Sequence, residues 1–149
     1  MGYQSIFTED LFAGQTVVIT GGGSGIGRCT AHELAALGAD IAIVGRNADK
    51  LDAVRSEIGS DGGRVSIHAA DIRDEAAVSD VVGAILRDHG RIDGLFNNAG
   101  GQYRAPAETI TTKGFEAVVR NNLTGGFVVM REVYTRWMKA PPCAFIHLV

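Results

Sequence analysis

Thr20-Gly21-Gly22-Gly23-Ser24-Gly25-Ile26-Gly27 is the stretch that decides the fold of this chain. It follows a β-branched run at residues 16–20 and precedes a helix-like stretch at residues 26–37. A strand, a glycine turn and a helix in succession can hold a nucleotide phosphate, because glycine admits the ligand and the new helix offers free N–H groups. The spacing is Gly-x-x-x-Gly-x-Gly with no Lys-Ser or Lys-Thr pair after it, so the loop is not a P-loop. The stretch favours nucleotide binding over a plain glycine-rich turn.

The composition is that of an ordinary globular protein, and it excludes several classes of function. The 149 residues are enough for one domain with a real core, and 46% of them are hydrophobic. A net charge of −3 without a Lys/Arg cluster argues against a nucleic-acid partner. No apolar run approaches the roughly 20 residues of a membrane span, and no signal-peptide pattern is visible. We expect a single domain over residues 1–149, with no nucleic-acid or membrane partner.

The cysteines and histidines give no sign of a metal site. Cys29 and Cys143 lie far apart, and the four histidines are scattered without metal-ligand spacing. We therefore expect no metal, and a reduced chain located in the cytoplasm.

Short apolar runs alternate with amphipathic stretches along the chain. The runs, rich in Val and Ile like buried parallel strands, are residues 16–20, 41–45, 65–69, 92–96 and 144–149. The helical stretches are residues 26–37, 48–58, 74–88 and 112–138. Strict alternation predicts an α/β fold, in which a parallel sheet has right-handed crossovers and helices on both faces.

Residues at the ends of these elements support the pattern. Asp74 has the side chain of an N-cap, and Gly38, Gly59 and Gly90 stand where helices are expected to stop. The last apolar run reaches Val149, and a parallel strand at an open edge is an aggregation hazard. We therefore expect the chain to be the first part of something longer.

The end of the second predicted strand indicates which nicotinamide cofactor the site prefers. An NAD site has an acidic residue here for the ribose 2′-hydroxyl, but Gly45 occupies the position, and Asp40 lies at the other end of the strand. Arg46 follows and suits a 2′-phosphate, which favours NADP over the alternative of a solvated loop arginine. The missing acid also weakens the case for a methyltransferase, which would need the same ribose contact.

Two other strand ends carry candidate ligand residues. Asp71 follows the third strand, where it can accept a hydrogen bond from an adenine amino group, although a turn aspartate is the better interpretation of this residue alone. Asn97-Asn98-Ala99-Gly100-Gly101 follows the fourth strand. A loop close under a flat ligand and a tight turn explain that sequence equally well.

The last helical stretch contains an interruption. Asn121 and Asn122 lie inside it, and Gly125 and Gly126 follow. An asparagine side chain competes for backbone hydrogen bonds in a helix interior, so we predict a local distortion there.

The end of the chain offers residues that resemble catalytic ones without the right spacing. Tyr134 and Lys139 are five residues apart, so they do not share a helix face as residues three or four apart do. We interpret them as packing and surface residues, Trp137 and Met138 as core or interface residues, and His147 as a structural residue of the last strand.

Taken in order, the motifs resemble those of the short-chain dehydrogenase/reductase family. The ordered match is Thr20-Gly21-x-x-x-Gly25-x-Gly27, Asp71, Asn97-Asn98-Ala99-Gly100 and Asn122-Leu123-Thr124-Gly125. Residues 100–108, 113–115 and 133–139 look most like the trans-2-enoyl-CoA reductases of peroxisomes and their bacterial relatives. The resemblance implies a Rossmann-type, doubly wound parallel sheet of about five strands in the order 3-2-1-4-5, truncated at its C-terminal side relative to the family.

The resemblance also implies where a cofactor binds. The pyrophosphate would lie over the glycine turn, the adenine near the end of the third strand, and the nicotinamide beside the loop after the fourth. The implied contact residues are Gly21, Gly23, Ser24, Gly25, Ile26, Gly27, Arg46, Asp71, Ile72, Asn98, Ala99 and Gly100. Members with arginine at the position of Arg46 generally prefer NADPH, so NADP(H) is expected over NAD(H). Many of those members also carry a basic residue where this chain has Ser24.

Much of the family's catalytic machinery has no counterpart in this sequence. The catalytic serine and the Tyr-x-x-x-Lys motif would follow Val149, and only Asn122 carries over, in a supporting role that kinks its helix and helps hold a water chain to the lysine. Residues 1–149 alone are therefore expected to be inactive.

The function implied by the resemblance is that of an NADP-dependent oxidoreductase, represented here by its cofactor-binding part. It would transfer hydride to a carbonyl or enoyl-CoA substrate, a small molecule for which an acyl-CoA thioester is one candidate. The full-length protein would form a homo-oligomer. The alternative is a non-catalytic NADP(H)-binding module or subunit.

Overall fold

The structure, a computed structural model, describes residues 4–139 and 144–148, which contain a five-stranded parallel sheet. The strands are β1 (Thr16–Thr20), β2 (Asp40–Gly45), β3 (Val65–Ala69), β4 (Gly94–Asn97) and β5 (Ala144–His147). Their order across the sheet is β3-β2-β1-β4-β5, with parallel pairing throughout. This order confirms the Rossmann-type, doubly wound sheet that the sequence predicts.

Helices connect the strands and cover both faces of the sheet. The α-helices are α1 (Gly25–Ala36), α2 (Ala48–Ser60), α3 (Glu75–His89), α4 (Thr112–Val119) and α5 (Gly125–Val133). A 3-10 turn at Ala107–Thr109 precedes α4, and π-helical turns follow α4 at Arg120–Thr124 and α5 at Tyr134–Met138. Among the described helices, none is long and apolar enough to cross a lipid bilayer.

The central strand β1 is buried at all five residues and organises the core. Side chains alternate along a strand, so successive residues pack on opposite faces of the sheet. Ile19 belongs to a cluster with Ala31 of α1 and Leu51 of α2, whereas Val18 belongs to a cluster with Val82 of α3. The helices therefore pack against the two faces of the sheet, and the carboxyl ends of the strands lie between the two layers of helices.

Three of the four predicted helix-end signals are confirmed, and one is wrong. Asp74 caps α3, because its side chain accepts the backbone N–H groups of residues 76 and 77 at 3.0 and 3.1 Å. Gly90 follows α3 with φ +74°, and Gly38 follows the end of α1 with φ +87°. Gly59 does not stop α2, which continues to residue 60. Gly62, with φ +85°, takes the left-handed position beyond that helix.

The fourth predicted strand, residues 92–96, needs a small correction. Pairing with β1 begins at Gly94, which lies opposite Val17, and β4 continues to Asn97. Ile92 is fully buried although it precedes the strand. Its apolar side chain therefore reflects core packing of the connection and not strand pairing.

The stretch predicted as one helix over residues 112–138 is helical throughout, but it contains two π-helical turns. The distortion predicted around Asn121 and Asn122 is confirmed as the first π-helical turn, Arg120–Thr124. A second π-helical turn, Tyr134–Met138, has no asparagine or glycine to announce it.

The residues near the end of the chain have the predicted packing and surface positions. Met138 is buried, and Trp137 packs against the same core cluster. Tyr134 is 46% exposed and lies with its ring 6.5 Å from that of Phe145, between ring centroids. The strand β5 is exposed at every residue, which agrees with the predicted open edge, while Val149 lies outside the described residues.

Candidate cofactor-binding site

The glycine turn after β1 adopts the left-handed backbone that its sequence requires. Gly21 has φ +71° and Gly25 has φ +54°, a region that residues with a Cβ rarely enter. The backbone N–H of Gly21 donates to the carbonyl of Val44 at 2.7 Å. This bond ties the turn to the end of β2, so the ends of two neighbouring strands are held together.

Gly27 allows α1 to pack closely against the turn. A methyl group at this position would lie 2.5 Å from the carbonyl oxygen of Gly21 and 2.6 Å from Nδ2 of Asn98. Contacts that short force the backbone to move. Gly27 therefore has a packing role: it brings the helix, the turn and the loop after β4 into contact.

The N-terminus of α1 differs from those of α2, α3 and α4. In those helices the side chains of Asn47, Asp74 and Thr111 accept hydrogen bonds from first-turn N–H groups. Ser24 stands at the N-cap of α1, but its side chain makes no capping hydrogen bond. The first-turn N–H groups of α1 and the positive end of its dipole are therefore available to an anion.

Thr20 joins the turn to the loop after β4. Its hydroxyl accepts the backbone N–H groups of Asn98 and Ala99 at 3.0 and 2.9 Å and donates to Oδ1 of Asn97 at 3.1 Å. Nδ2 of Asn98 returns a hydrogen bond to the Thr20 carbonyl at 3.0 Å. The loop after β4 is therefore fixed to Thr20 through both the side chain and the backbone carbonyl of that residue.

Asn122 holds the other end of that loop. Its Nδ2 donates to the carbonyl of Gly101 at 2.7 Å, and its Oδ1 accepts the Gly101 N–H at 3.1 Å. The same Nδ2 also donates to the carbonyl of Val118 at 2.9 Å. The π-helical turn places this amide toward the loop, and the pair of bonds fixes the path of residues 98–101.

These elements enclose a cleft of about 620 Å³ at the carboxyl ends of β1, β2, β3 and β4. This is the place where ligands bind in open α/β sheets, at the point where the strand order reverses. The predicted cofactor residues that line it are Gly21, Gly23, Ser24, Ile26, Arg46, Asp71, Ile72, Asn98, Ala99 and Gly100. Gly25 and Gly27 do not line it, nor does Asn122, whose neighbour Asn121 does.

Six further lining residues lie outside the predicted cofactor contacts. They are Gly45, Asn47, Lys50, Leu51, Ala70 and Asn121. Lys50 lies four residues after Arg46 and reaches the cleft because α2 begins immediately beyond β2. Arg46 precedes α2, so helical spacing does not relate the two cations, and no sequence signal identifies Lys50 as a cleft residue.

Asp71 and Arg46 face the cleft with opposite charges. The side chain of Arg73 lowers the pKa of the Asp71 carboxyl to about 2, chiefly through hydrogen bonds, and the positive charge of Arg46 adds to this effect. Both carboxylate oxygens accept hydrogen bonds from Arg73, Oδ1 from the backbone N–H and from Nε at 3.0 and 2.9 Å. Asp71 is therefore ionised, and both of its carboxylate oxygens already accept hydrogen bonds from Arg73. Its contact with adenine stays a prediction.

The part of the chain that the structure describes contains no cluster of metal-ligating side chains. No group of three or more His, Cys, Asp or Glu side chains there is placed to hold an ion. Cys29 is exposed as a free thiol, and Cys143 lies outside the described residues.

Comparison with known proteins places this geometry in a family. The family model described as short chain dehydrogenase matches residues 15–146. The chain belongs to the short-chain dehydrogenase/reductase family, as its ordered motifs predict.

Individual relatives agree with the family and differ in what they act on. A probable 2,4-dienoyl-CoA reductase of Bacillus subtilis (strain 168) is 36% identical over 124 residues, which are 83% of this chain and 49% of the relative. The solved structure of a citronellol catabolism dehydrogenase (AtuB) of Pseudomonas aeruginosa PAO1 is 55% identical, with a TM-score of 0.91, and the match covers 96% of this chain and 59% of that one. The chain spans about half the length of the curated relatives it matches.

One similar solved structure contains NAD+, and another contains NADP. An NAD+-bound xylitol dehydrogenase is 32% identical with a TM-score of 0.86, covering 91% of this chain and 52% of that one. A metagenomic short-chain oxidoreductase in complex with NADP is 33% identical with a TM-score of 0.81, covering 89% and 61%. These two similar structures therefore do not favour one nicotinamide cofactor over the other.

Proposed function

We propose that this chain is the cofactor-binding part of an NADP(H)-dependent oxidoreductase. The observation that carries the cofactor preference is the wall of the cleft beyond β2. Arg46 and Lys50 line that wall together, and Gly45 stands in place of an acidic residue. Asp71, the carboxylate among the residues that line the cleft, is already paired with Arg73. Two cations and no free carboxylate at this point suit a 2′-phosphate better than a ribose 2′-hydroxyl.

The rest of the cleft fits a dinucleotide. Gly21 and Gly23 line the cleft without a side chain, so a ligand can come close to their backbone. The uncapped N-terminus of α1 offers N–H donors to a pyrophosphate. Residues 98–100 would lie beside the nicotinamide, which supplies the hydride chemistry when it is bound. Asn122 acts as a positioning residue, since it fixes this loop through Gly101.

A carbonyl compound or an enoyl thioester is the proposed substrate of the whole protein. The probable 2,4-dienoyl-CoA reductase among the relatives supports an acyl-CoA substrate, and the xylitol dehydrogenase represents the competing class of polyols. We also propose that residues 1–149 bind cofactor without turnover, because they contain neither a Tyr-x-x-x-Lys motif nor the serine that precedes it in the family.

The cofactor preference is tested by the dissociation constants of NADPH and NADH, measured by calorimetry on residues 1–149 and on single variants. Arg46→Ala and Lys50→Ala should each weaken NADPH binding about tenfold, the scale of one hydrogen bond to a charged group, and leave NADH within about twofold. Arg55→Ala is the matched control, because Arg55 lies on the same helix α2 but pairs with Asp52 outside the cleft. Equal losses for NADPH and NADH in Arg46→Ala would remove the basis for the NADP(H) preference.

The catalytic half of the proposal is tested separately. Oxidation of NADPH is followed by absorbance with crotonyl-CoA or a ketone, and a thermal melt is recorded with and without NADPH. No turnover together with an upward shift of the melting temperature is expected, since a ligand that binds only the folded state stabilises it. Turnover by residues 1–149 would contradict the proposal that this part binds without catalysing.

A further inference from the structure

A second cavity lies next to the cofactor cleft and is not used by the proposed dinucleotide. Its volume is about 550 Å³, within the range of ligand pockets. We call it the Tyr103 groove, and its main lining residues are Gln102, Tyr103, Arg104, Ile110, Phe115 and Val118. One wall is the extended segment after β4 and the other is α4.

The two walls of the Tyr103 groove are packed together at Gly114. A methyl group at Gly114 would lie 3.1 Å from two ring carbons of Tyr103, Cδ1 and Cε1, so the ring rests directly on the helix. The backbone N–H of Gly114 donates to the Thr111 side chain at 3.1 Å, which fixes the start of α4. The groove is therefore a built feature and not a gap between loose segments.

Three large apolar side chains that line this groove are exposed. Tyr103 is 50% exposed, Ile110 is 42% exposed and Phe115 is 62% exposed. Exposed apolar side chains that are grouped and rimmed by polar residues mark binding surfaces more often than scattered ones do. A ligand lying here would cover three large side chains at once.

The Tyr103 groove and the proposed nicotinamide end of the cleft are lined by neighbouring residues of one segment of chain. Gly100 lines the cleft, Gln102 lines the groove, and Gly101 between them is held by both side-chain atoms of Asn122. Val118 lines the groove, and its carbonyl accepts a hydrogen bond from the same Asn122 amide. The groove and the cleft are therefore adjacent at Gly101, which lies between their lining residues along the chain.

Arg104 gives the groove a positive charge that the described residues leave unpaired. No carboxylate in residues 4–139 or 144–148 forms an ion pair or hydrogen bond with it. An unpaired guanidinium beside an apolar wall suits a ligand that has apolar groups and a phosphate close together. A polyol has neither extended apolar groups nor a phosphate.

From these features we infer that the Tyr103 groove binds the phosphopantetheine arm of a coenzyme A thioester. The thioester end would lie at Gly101, the apolar part of the arm would cross Tyr103 and Phe115, and a phosphate would meet Arg104. This assignment rests on the proposed function, since it takes the adjoining cleft to hold the cofactor. It narrows the substrate from carbonyl compounds in general to acyl-CoA thioesters.

The test compares two probes that share one thioester. Crotonyl-CoA carries the whole arm, whereas the crotonyl thioester of N-acetylcysteamine lacks the phosphates and most of the arm. Binding of each to the full chain of residues 1–149 is measured by calorimetry, and NADPH binding is measured on the same samples. Crotonyl-CoA should bind at least about tenfold more tightly than the short thioester, as expected for one added hydrogen bond between charged groups.

Variants of the groove should remove that advantage. Arg104→Ala and Phe115→Ala should each weaken crotonyl-CoA binding about fivefold or more while NADPH affinity stays unchanged. Lys113→Ala is the control for charge, since Lys113 is exposed on α4 and does not line the groove. Phe7→Ala is the control for an exposed aromatic side chain, because Phe7 is 59% exposed near the N-terminus.

The outcomes separate this inference from the proposed function. Equal affinity for both thioesters, or equal losses in Arg104→Ala and Lys113→Ala, overturns the groove as a coenzyme A site even if NADPH binds. Arg104-dependent binding of crotonyl-CoA without any NADPH binding supports the groove and contradicts the proposed cofactor site.

Discussion

Asn122 forms hydrogen bonds with both backbone polar groups of Gly101, donating to its carbonyl at 2.7 Å and accepting from its N–H at 3.1 Å. The backbone of the loop is thereby fixed by a side chain that lies 21 positions later in the sequence. This contact gives the asparagine a positioning role that does not depend on the residues the family uses for proton transfer.

The first prediction concerns this contact. Asn122→Ala should lower the free energy of unfolding by about 0.5–1.5 kcal/mol, because its hydrogen bonds to the exposed Gly101 are lost and water can replace them. Amide hydrogen exchange at Gly101 should become markedly faster. Thr124→Ala, an exposed change in the same π-helical turn, should leave that exchange rate unaltered. An unchanged Gly101 rate in Asn122→Ala would show that the loop is fixed by other contacts.

The second prediction concerns the Thr20 hydroxyl, which is fully buried and serves three partners. Thr20→Val keeps the shape of the side chain but leaves the N–H groups of Asn98 and Ala99 without an acceptor. We expect a loss of about 2–4 kcal/mol in urea unfolding, since each buried group left unsatisfied costs about 1–3 kcal/mol. Thr109→Val, at an exposed hydroxyl, should change stability by no more than about 0.5 kcal/mol. Equal effects of the two changes would contradict this account.

The third prediction uses Gly59, which lies inside α2 with open space where a Cβ would be. Gly59→Ala should raise the free energy of unfolding by about 0.5–1 kcal/mol, because alanine loses less conformational entropy in a helix than glycine does. The measurement is the urea midpoint at constant m-value. A destabilised variant would mean that α2 ends earlier than the structure shows.

The same substitution at Gly27 should act in the opposite direction. A methyl group there meets the Gly21 carbonyl oxygen at 2.5 Å, so Gly27→Ala should destabilise the protein by about 1–3 kcal/mol through overpacking. It should also weaken NADPH binding, because α1 and the turn can no longer approach. The pair of variants separates a general property of glycine from a local steric requirement. A Gly27→Ala protein with normal stability and normal NADPH affinity would refute the packing role.

Two histidines and a serine form a separate cluster on the β3 side of the sheet. The Ser66 hydroxyl lies 2.9 Å from Nε2 of His68 and 2.8 Å from Nε2 of His89. Its single proton can be donated to only one of the two rings, so the other ring must donate to the oxygen. Nδ1 of His89 is buried and has no hydrogen-bond partner.

The charges around this cluster do not compensate for its burial. Desolvation lowers the pKa of His89, and Arg64 lowers it further, while Asp40 and Asp88 raise it by smaller amounts. Desolvation is also the main cause of the lowered pKa of His68, and there Asp88 opposes it. Both imidazoles are therefore held neutral in the folded protein at neutral pH.

The fourth prediction follows from these lowered pKa values. The unfolded chain takes up protons at these histidines near pH 6.5, before the folded protein does, so the free energy of unfolding should fall as pH drops below about 6.5. Urea unfolding at pH 7.5 and pH 5.5 should show this loss. The double variant His68→Gln/His89→Gln should show a smaller loss between the two pH values, whatever its absolute stability. His147→Gln, at an exposed histidine, should keep the wild-type dependence, and a double variant that also kept it would contradict the assignment.

The sheet and most of the cleft could be predicted from the sequence because they depend on local patterns. A buried run such as residues 16–20 alternates with an amphipathic stretch, and this alternation has few solutions other than a parallel sheet. The glycine turn and Arg46 follow the carboxyl ends of two parallel strands. Because parallel strands end at the same edge of the sheet, both are expected at the cleft. The resemblance to a known family then supplied the strand order.

The residues that escaped prediction are those whose role depends on the tertiary fold. Lys50 is an exposed lysine on a helix and becomes a cleft residue only because α2 packs beside the glycine turn. Ile92 is apolar for a reason that periodicity cannot distinguish from strand pairing. Arg104 and Phe115 form a groove only when the segment after β4 folds back on α4.

The position of β1 in the middle of the sheet has a consequence for the lifetime of the folded chain. The strands β2 and β3 lie on one side of β1, and β4 and β5 lie on the other. We call the pairing of β1 with β4 the seam, because it joins strands that are distant in sequence. The cleft takes Arg46 from one side of this seam and Asn98 from the other. A dinucleotide that contacts both would have to be released before the seam opens. The rate at which the protein unfolds, and with it its exposure to proteases, would then follow the cellular supply of the dinucleotide.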